Sequence, residues 1–248
     1  MFEWMKRQKN NDAPAPAAAD APAPAEELGL ADYSIAARAA AWSEVGAVDD
    51  HVVAHLINPA FQGGPRWPAL RQSFLVIRTD VAAIVASDGL SDPWDDGGPT
   101  TGNGAELYLA SDTLTGVEVA DMRDHWRFNA LYEAAQTVAG IASDLPAAIT
   151  THGCLSMESV QPEADGEWAD TSGRVGLLLG VPLPGVPATV SSVAGEIALV
   201  GVVVLRPDEL EYAVGGGADA RAELASRLGK LSAADLVSSA RHSVLTGF

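Results

Sequence analysis

The chain has 248 residues, 48% hydrophobic and 19% charged, which supplies apolar material for one large domain or two small ones. Its 33 acidic residues outnumber its 15 basic ones, a formal net charge of −18 that argues against a phosphate-tracking nucleic-acid surface and suits a basic protein partner. A single cysteine, Cys154, excludes an intramolecular disulfide and a cysteine-rich metal site, and no apolar run reaches the roughly 18–20 residues of a membrane-spanning helix.

Residues 1–30 read as an Ala/Pro-rich tail. Four Ala-Pro pairs remove amide donors and favour extended polyproline II, so the segment is expected to be a disordered spacer. Phe2 and Trp4 are candidate anchors if it docks instead. Lys6, Arg7 and Lys9 are followed by Asn-Asn-Asp-Ala-Pro, which is not the apolar core of a signal peptide, and a cytoplasmic protein is expected. Residues 31–248 then form the folded unit.

Asp32 is placed to cap a helix over Tyr33 to Val45, with Ile35, Ala39, Trp42 and Val45 on its apolar face. His51 to Ile57 reads as a strand, with His51 and His55 on one face as ordinary side chains. Phe61 to Pro68 is turn-rich. Ser73 to Thr79 and Asp80 to Ser87 follow as two strands.

Ser87 to Leu109 is the stretch on which the functional reading turns. It contains Asp88, Asp92, Asp95 and Asp96, five glycines, two prolines and Trp94, and it leads into an alternating strand from Ala105. Such a connection exceeds the usual hairpin loop of about 2–5 residues. Asp92, Trp94, Asp95 and Asp96 are the candidate partner-contact residues, because an aromatic anchor inside a charged rim is the pattern of an interface hot spot.

Asp121 to Ile141 carries the strongest helical periodicity, through Trp126, Leu131, Ala134, Ala135, Val138 and Ile141, and Pro146 is expected to stop any continuation. His152 and Cys154 sit near one another in sequence, but nothing there activates a thiol, and Cys154 is expected to be buried and inert. Gln161 to Gly173 is a second acidic loop, with Trp168. Arg174 to Val181 and Glu196 to Leu205 read as buried strands joined by residues 182–195. A helix starts at Pro207, breaks at Gly215-Gly216-Gly217, and resumes from Asp219 to Leu228. A short turn near Ser232 and an edge strand over Arg241 to Leu245 complete the chain. The expected fold is α+β: a mixed, largely antiparallel sheet packed by a long central helix and shorter C-terminal helices.

Catalytic signatures are missing. The sequence has no nucleophile elbow, no His-Glu-x-x-His, and no phosphate loop. Gly102-Asn103-Gly104 leads into a strand, where a dinucleotide fingerprint needs a helix. No catalytic residue, metal site or cofactor is assigned. A metal-dependent hydrolase built on the acidic loops is one alternative, and a scaffold tethered by the Pro-rich tail is another.

The loop "SDGLSDPWD" (Ser87 to Asp95), the turn-strand "GNGAEL" (Gly102 to Leu107), the long helix with Trp126, the run "EIALVGVVVLRPDELEYA" (Glu196 to Ala213) and the terminal Arg-x-Ser-Val (Arg241 to Val244) occur in an order that resembles the suppressor-of-fused (SUFU) family and its bacterial relatives. The resemblance spans about Tyr33 to Val244. Asn103 and Ala105 stand where that family often has aromatics. The resemblance implies a non-catalytic α+β protein-binding module. The bacterial relatives look like immunity proteins of toxin systems, which implies a basic partner that this protein sequesters or neutralises.

Overall fold

The computed structural model describes residues 29–94, 100–141 and 144–246. The Ala/Pro-rich segment up to residue 28 lies outside them. Among the described residues five α-helices pack on a mixed sheet of nine strands, an α+β architecture as expected. The sheet runs β1 (Ala47–Val48), β3 (Ser73–Arg78), β4 (Ala83–Asp88), β5 (Ala105–Ser111), β9 (Gly195–Leu205), β7 (Arg174–Leu179), β6 (Leu155–Val160). β2 (Val53–Ala54) continues the edge beside β3, and β8 (Thr189–Ser192) pairs with β9. Every pairing is antiparallel except β5 with β9, which run parallel from Ala105 opposite Ala198 to Tyr108 opposite Gly201.

Both faces of this sheet are covered, which is why its central strands read as apolar runs and not as alternating ones. On one face Phe74, Val76, Val85, Leu107, Leu177 and Val202 meet α2 (Trp126–Ile141), which buries Phe128, Leu131, Ala134, Ala135 and Val138. On the other face Leu75, Ile77, Ile84, Tyr108, Leu178 and Leu199 meet Trp42 of α1 (Leu30–Val45), Leu210, Leu224 and Leu228 of α4 (Pro207–Leu228), and Leu236 of α5 (Ala233–Val237).

Several sequence expectations shift at their edges. α1 begins at Leu30 with Gly29 as its cap, and Asp32 acts from inside the first turn by accepting a hydrogen bond from the Gly29 amide at 3.0 Å. The face α1 buries is Ser34, Arg38 and Trp42. The expected strand from His51 to Ile57 contracts to Val53–Ala54. The long helix begins only at Trp126, because His125 is extended and Val119–Asp124 forms a separate 3₁₀ turn.

Pro146 does not stop a helix but opens one. α3 (Leu145–His152) has Pro146 in its first turn, where the missing amide costs nothing, and Asp144 caps it through the Ala147 amide at 3.1 Å. The break in α4 narrows to Gly217, whose φ of 61° and ψ of −139° leave the helix region. Residues 241–245 do not form a strand: Arg241 turns inward, its guanidinium bound at 2.6 and 2.8 Å to Glu209, and Glu209 also accepts from the Val244 amide at 2.8 Å. A buried ion pair fixes the segment that the residue pattern reads as an edge strand.

Candidate protein-docking surface

β4 delivers the chain to Asp88, and β5 picks it up again at Ala105. The base of the loop between them is sewn down by charge. The buried Glu106 carboxylate of β5 accepts from the amides of Gly89 (3.0 Å), Leu90 (3.3 Å) and Ser91 (3.0 Å), and from the hydroxyls of Ser87 (2.5 Å) and Ser91 (2.7 Å). Three consecutive amides converge on one carboxylate, so the loop wraps an anion supplied by the protein itself. Gly89 is required there, since a Cβ would stand 2.1 Å from the Arg71 carbonyl oxygen.

Two arginines hold the aspartates of this base. Arg38, fully buried in α1, reaches Asp88 at 2.9 Å and Asp92 at 2.6 Å, and lies 3.6 Å from Glu106. Arg71 closes the other side, 2.5 Å from Asp88 and 3.0 Å from Asp92. Burial alone would lower the pKa of Arg38, and the surrounding Glu106, Asp88 and Asp92 raise it instead. Burial alone would raise Asp92, and Arg71 and Arg38 pull it below the usual carboxylate range. Glu106 goes the other way: burial raises it, and Arg38 only partly offsets that.

The four residues read from the sequence as partner contacts therefore divide. Asp92 is 1% exposed and ion-paired on both oxygens, so its carboxylate faces the interior and offers a partner no surface. Its role in the structure is to anchor the loop. Trp94 is half-buried at the point where the loop leaves this base. Asp95 and Asp96 lie outside the described residues.

Among the described residues the two most exposed large apolar side chains, Leu56 at 99% and Phe61 at 74%, lie elsewhere, on the segment after β2, with Ile57 at 57% beside them. The segment is fixed in shape. Pro59 opens a 3₁₀ turn (Pro59–Gln62), Asn58 caps it through the Ala60 amide at 2.9 Å, and the Asn58 side chain also donates to the Leu70 carbonyl. Gln72 donates to Asn58 at 3.3 Å, so the segment is tied to the same Leu70–Ser73 approach that carries Arg71 to the acidic loop. A groove of about 490 Å³ adjoins it, lined by His51, Val52, Val53, Glu118, Val119 and Arg123. The His55 ring lies 4.9 Å from that of Tyr132, tilted by 52°, and burial with the nearby Arg123 lowers its pKa. β1 and β2 form the sheet edge here, only two residues each, and a short edge limits strand-to-strand aggregation.

Three other sequence-level candidates fall into place. Trp168, read as part of a second acidic loop, is 5% exposed, with the Arg206 guanidinium 3.9 Å from its ring and those of Arg127 and Arg241 at 5.4 Å. Cys154 is half-buried, and burial pushes its thiol up while Arg221 pulls partly back, the reverse of thiolate activation. His152 is the exposed last residue of α3. Sequence reasoning did not single out Arg38, Arg71, Glu106, Leu56 or Phe61. For Arg38 a signal existed: Ser34, Arg38 and Trp42 share a helix face at i, i+4, i+8.

No protein-family model matches the chain, and no curated protein matches it by sequence. Among solved structures, the Sufu–Fu complex crystal structure contains a chain similar to it, with a TM-score of 0.50 and 17% identity over 86% of this chain and 91% of the other. Drosophila Suppressor of Fused aligns with 70% of this chain at 16% identity and a TM-score of 0.39, and the aligned region spans 42% of that protein's length. The fold is SUFU-like.

Proposed function

We propose that this protein is a non-catalytic docking module that holds a basic protein partner on the face carrying Leu56, Ile57 and Phe61. The observation that carries the reading is the exposure of these three side chains around a 3₁₀ turn opened by Pro59 and capped by Asn58. Large apolar groups fully in water on a fixed scaffold are costly to a free protein and productive at an interface. Trp94, with Asp95 and Asp96 next to it in sequence, is proposed as a second contact. The formal charge of −18 draws a cationic partner to this surface.

The similarity to a chain of the Sufu–Fu complex supports this reading, since that structure is an assembly of two proteins. At a finer level, the protein is proposed as a cytoplasmic, bacterial-type member of the SUFU-like group that sequesters or neutralises its partner, in the manner of an immunity protein of a toxin system. The described carboxylates at the loop base, Asp88 and Asp92, are engaged by Arg38 and Arg71, which favours an adhesive over a hydrolytic use of this loop.

The test is affinity capture from lysate of the source cell with wild type, Phe61→Asp, and the pair Asp95→Asn with Asp96→Asn. One basic protein retained by wild type and lost by Phe61→Asp is the expected result. Retention by Phe61→Asp with loss in the Asn pair moves the surface to the acidic loop alone. Capture of nothing by wild type at low and moderate salt sinks the docking reading.

A further inference from the structure

The groove beside Leu56, Ile57 and Phe61 has an apolar lining and acidic walls. It runs between residues 49–54 and the 3₁₀ turn Val119–Asp124, with Val52, Val53 and Val119 among its lining residues. Glu118 lines it too, and Asp121 and Asp124 follow three and six residues on, stacked along the turn as side chains three apart are in a 3₁₀ helix. All three are exposed, and among the described residues none of them has an ion pair. Asp50, on the facing wall, is exposed and unpaired in the same way. Arg78 is already taken by Asp49 at 2.9 Å, which leaves Arg123 as the arginine of the lining. Such a groove suits a ligand that pairs aromatic anchors with several cations.

The chain carries that combination itself. Residues 1–9 read Met-Phe-Glu-Trp-Met-Lys-Arg-Gln-Lys, with two aromatics, two methionines and three basic residues against one acid, in a chain of net charge −18. They hold two of its three lysines. Residues 10–28 join them to Gly29, the cap of α1. A stretch of that length, extended as polyproline II at about 3.1 Å per residue, reaches about 60 Å. The path to cover is shorter: α1 is about 24 Å long at about 1.5 Å per residue, and it ends at Gly46, directly before β1 and the wall of the groove.

We infer that residues 1–9 are the chain's own ligand for this face, with Phe2 and Trp4 on Leu56, Ile57 and Phe61, and with Lys6, Arg7 and Lys9 toward Glu118, Asp121 and Asp124. This occupancy rests on the docking proposed for the face and adds its regulation: the segment covers the apolar groups until a cationic partner displaces it. A tethered ligand acts at an effective concentration in the millimolar range, so weak contacts suffice. A second copy of the chain is the poorer occupant, because two such acidic faces repel.

The experiment places a benzophenone photo-crosslinking amino acid at Trp4 of the full chain, in a mixture of isotope-labelled and unlabelled protein, and maps the products by mass spectrometry. The expected crosslinks lie within single chains, concentrate on residues 51–61 and 118–124, and are lost in Phe61→Asp and in the triple variant Lys6→Glu, Arg7→Glu, Lys9→Glu. Phe61 is 74% exposed, so Phe61→Asp is expected to leave Tm unchanged. Crosslinks scattered over the surface, centred elsewhere, or undiminished by Phe61→Asp overturn the assignment. Crosslinks between labelled and unlabelled chains overturn it in favour of a second copy. Capture of a basic partner that Phe61→Asp loses, with no crosslink at the face, sinks the self-docking alone. A crosslink at the face with no protein captured sinks the partner reading alone.

Discussion

Arg38 shows how much of the acidic loop's shape depends on one residue from a distant helix. It is fully buried and meets Asp88, Asp92 and Glu106, so removing it leaves Glu106 with no cation and leaves Asp88 and Asp92 to Arg71 alone. Arg38→Met is expected to cost about 3–5 kcal/mol, measured by urea denaturation, because an uncompensated buried charge is far worse than a neutral core. The pH response follows from the same cluster. Asp92 has a folded pKa below its unfolded value, near 3.9, so its stabilisation is complete above that pH and is lost as pH falls toward the folded value. Glu106 has a raised folded pKa, so its contribution has the opposite sign: greatest below about 4.3 and lost as pH rises through the folded value. Asp92→Asn is therefore expected to flatten the loss of stability below about pH 4, read by urea unfolding between pH 2.5 and 7. The acids of this site were visible in the sequence and its bases were not. Arg38 sits about fifty residues before Asp92, and only the packing of α1 on the sheet brings them within 2.6 Å. That is why Asp92 reads as a surface contact, beside Trp94 and among the other acids of the loop, yet lies inside.

The helices and strands were legible wherever burial enforced a period, and misread wherever a local polar contact decided the ending. β3, β4, β5, β7 and β9 appear within a few residues of their apolar runs, since both sheet faces are covered. The segment from His51 to Ile57 has a strand-like pattern, but Leu56 and Ile57 project into solvent and only Val53–Ala54 pair with β3. Pro146 is ambiguous in sequence, because proline both ends helices and opens them. The Asp144 side chain resolves that by capping the turn behind it. In the glycine triplet of α4, Gly216 is needed for space, since a Cβ there would stand 2.5 Å from that of Ala220, and Gly217 for its backbone conformation. A Cβ at Gly217 meets no atom within 4 Å, so Gly217→Ala tests backbone strain alone. It is expected to destabilise the fold by about 1–3 kcal/mol in thermal or urea unfolding, with Gly215→Ala close to neutral by comparison.

At the scale of the molecule, charge and topology carry separate messages. If the formal charge of −18 steers a cationic partner, the association rate of the captured complex falls at least about tenfold between 20 mM and 500 mM salt, while the dissociation rate changes less. Equal salt effects on both rates would remove long-range attraction from the account. Composition made this property plain before any fold was known, whereas the exposed apolar face needed the structure, since Leu56 reads as part of a strand and Phe61 as part of a turn. The parallel β5–β9 pairing has a kinetic consequence. β3, β4 and β5 join by antiparallel turns of neighbouring chain, as β6 and β7 do, but Ala105 and Ala198 are about ninety residues apart. Contacts that close such a long loop form late. Each half can therefore assemble its own sheet first, and the halves zip together along β5 and β9 in the slow step. Substitutions in that seam will act mainly on how fast the protein unfolds, and those in the β3–β4 hairpin on how fast it folds.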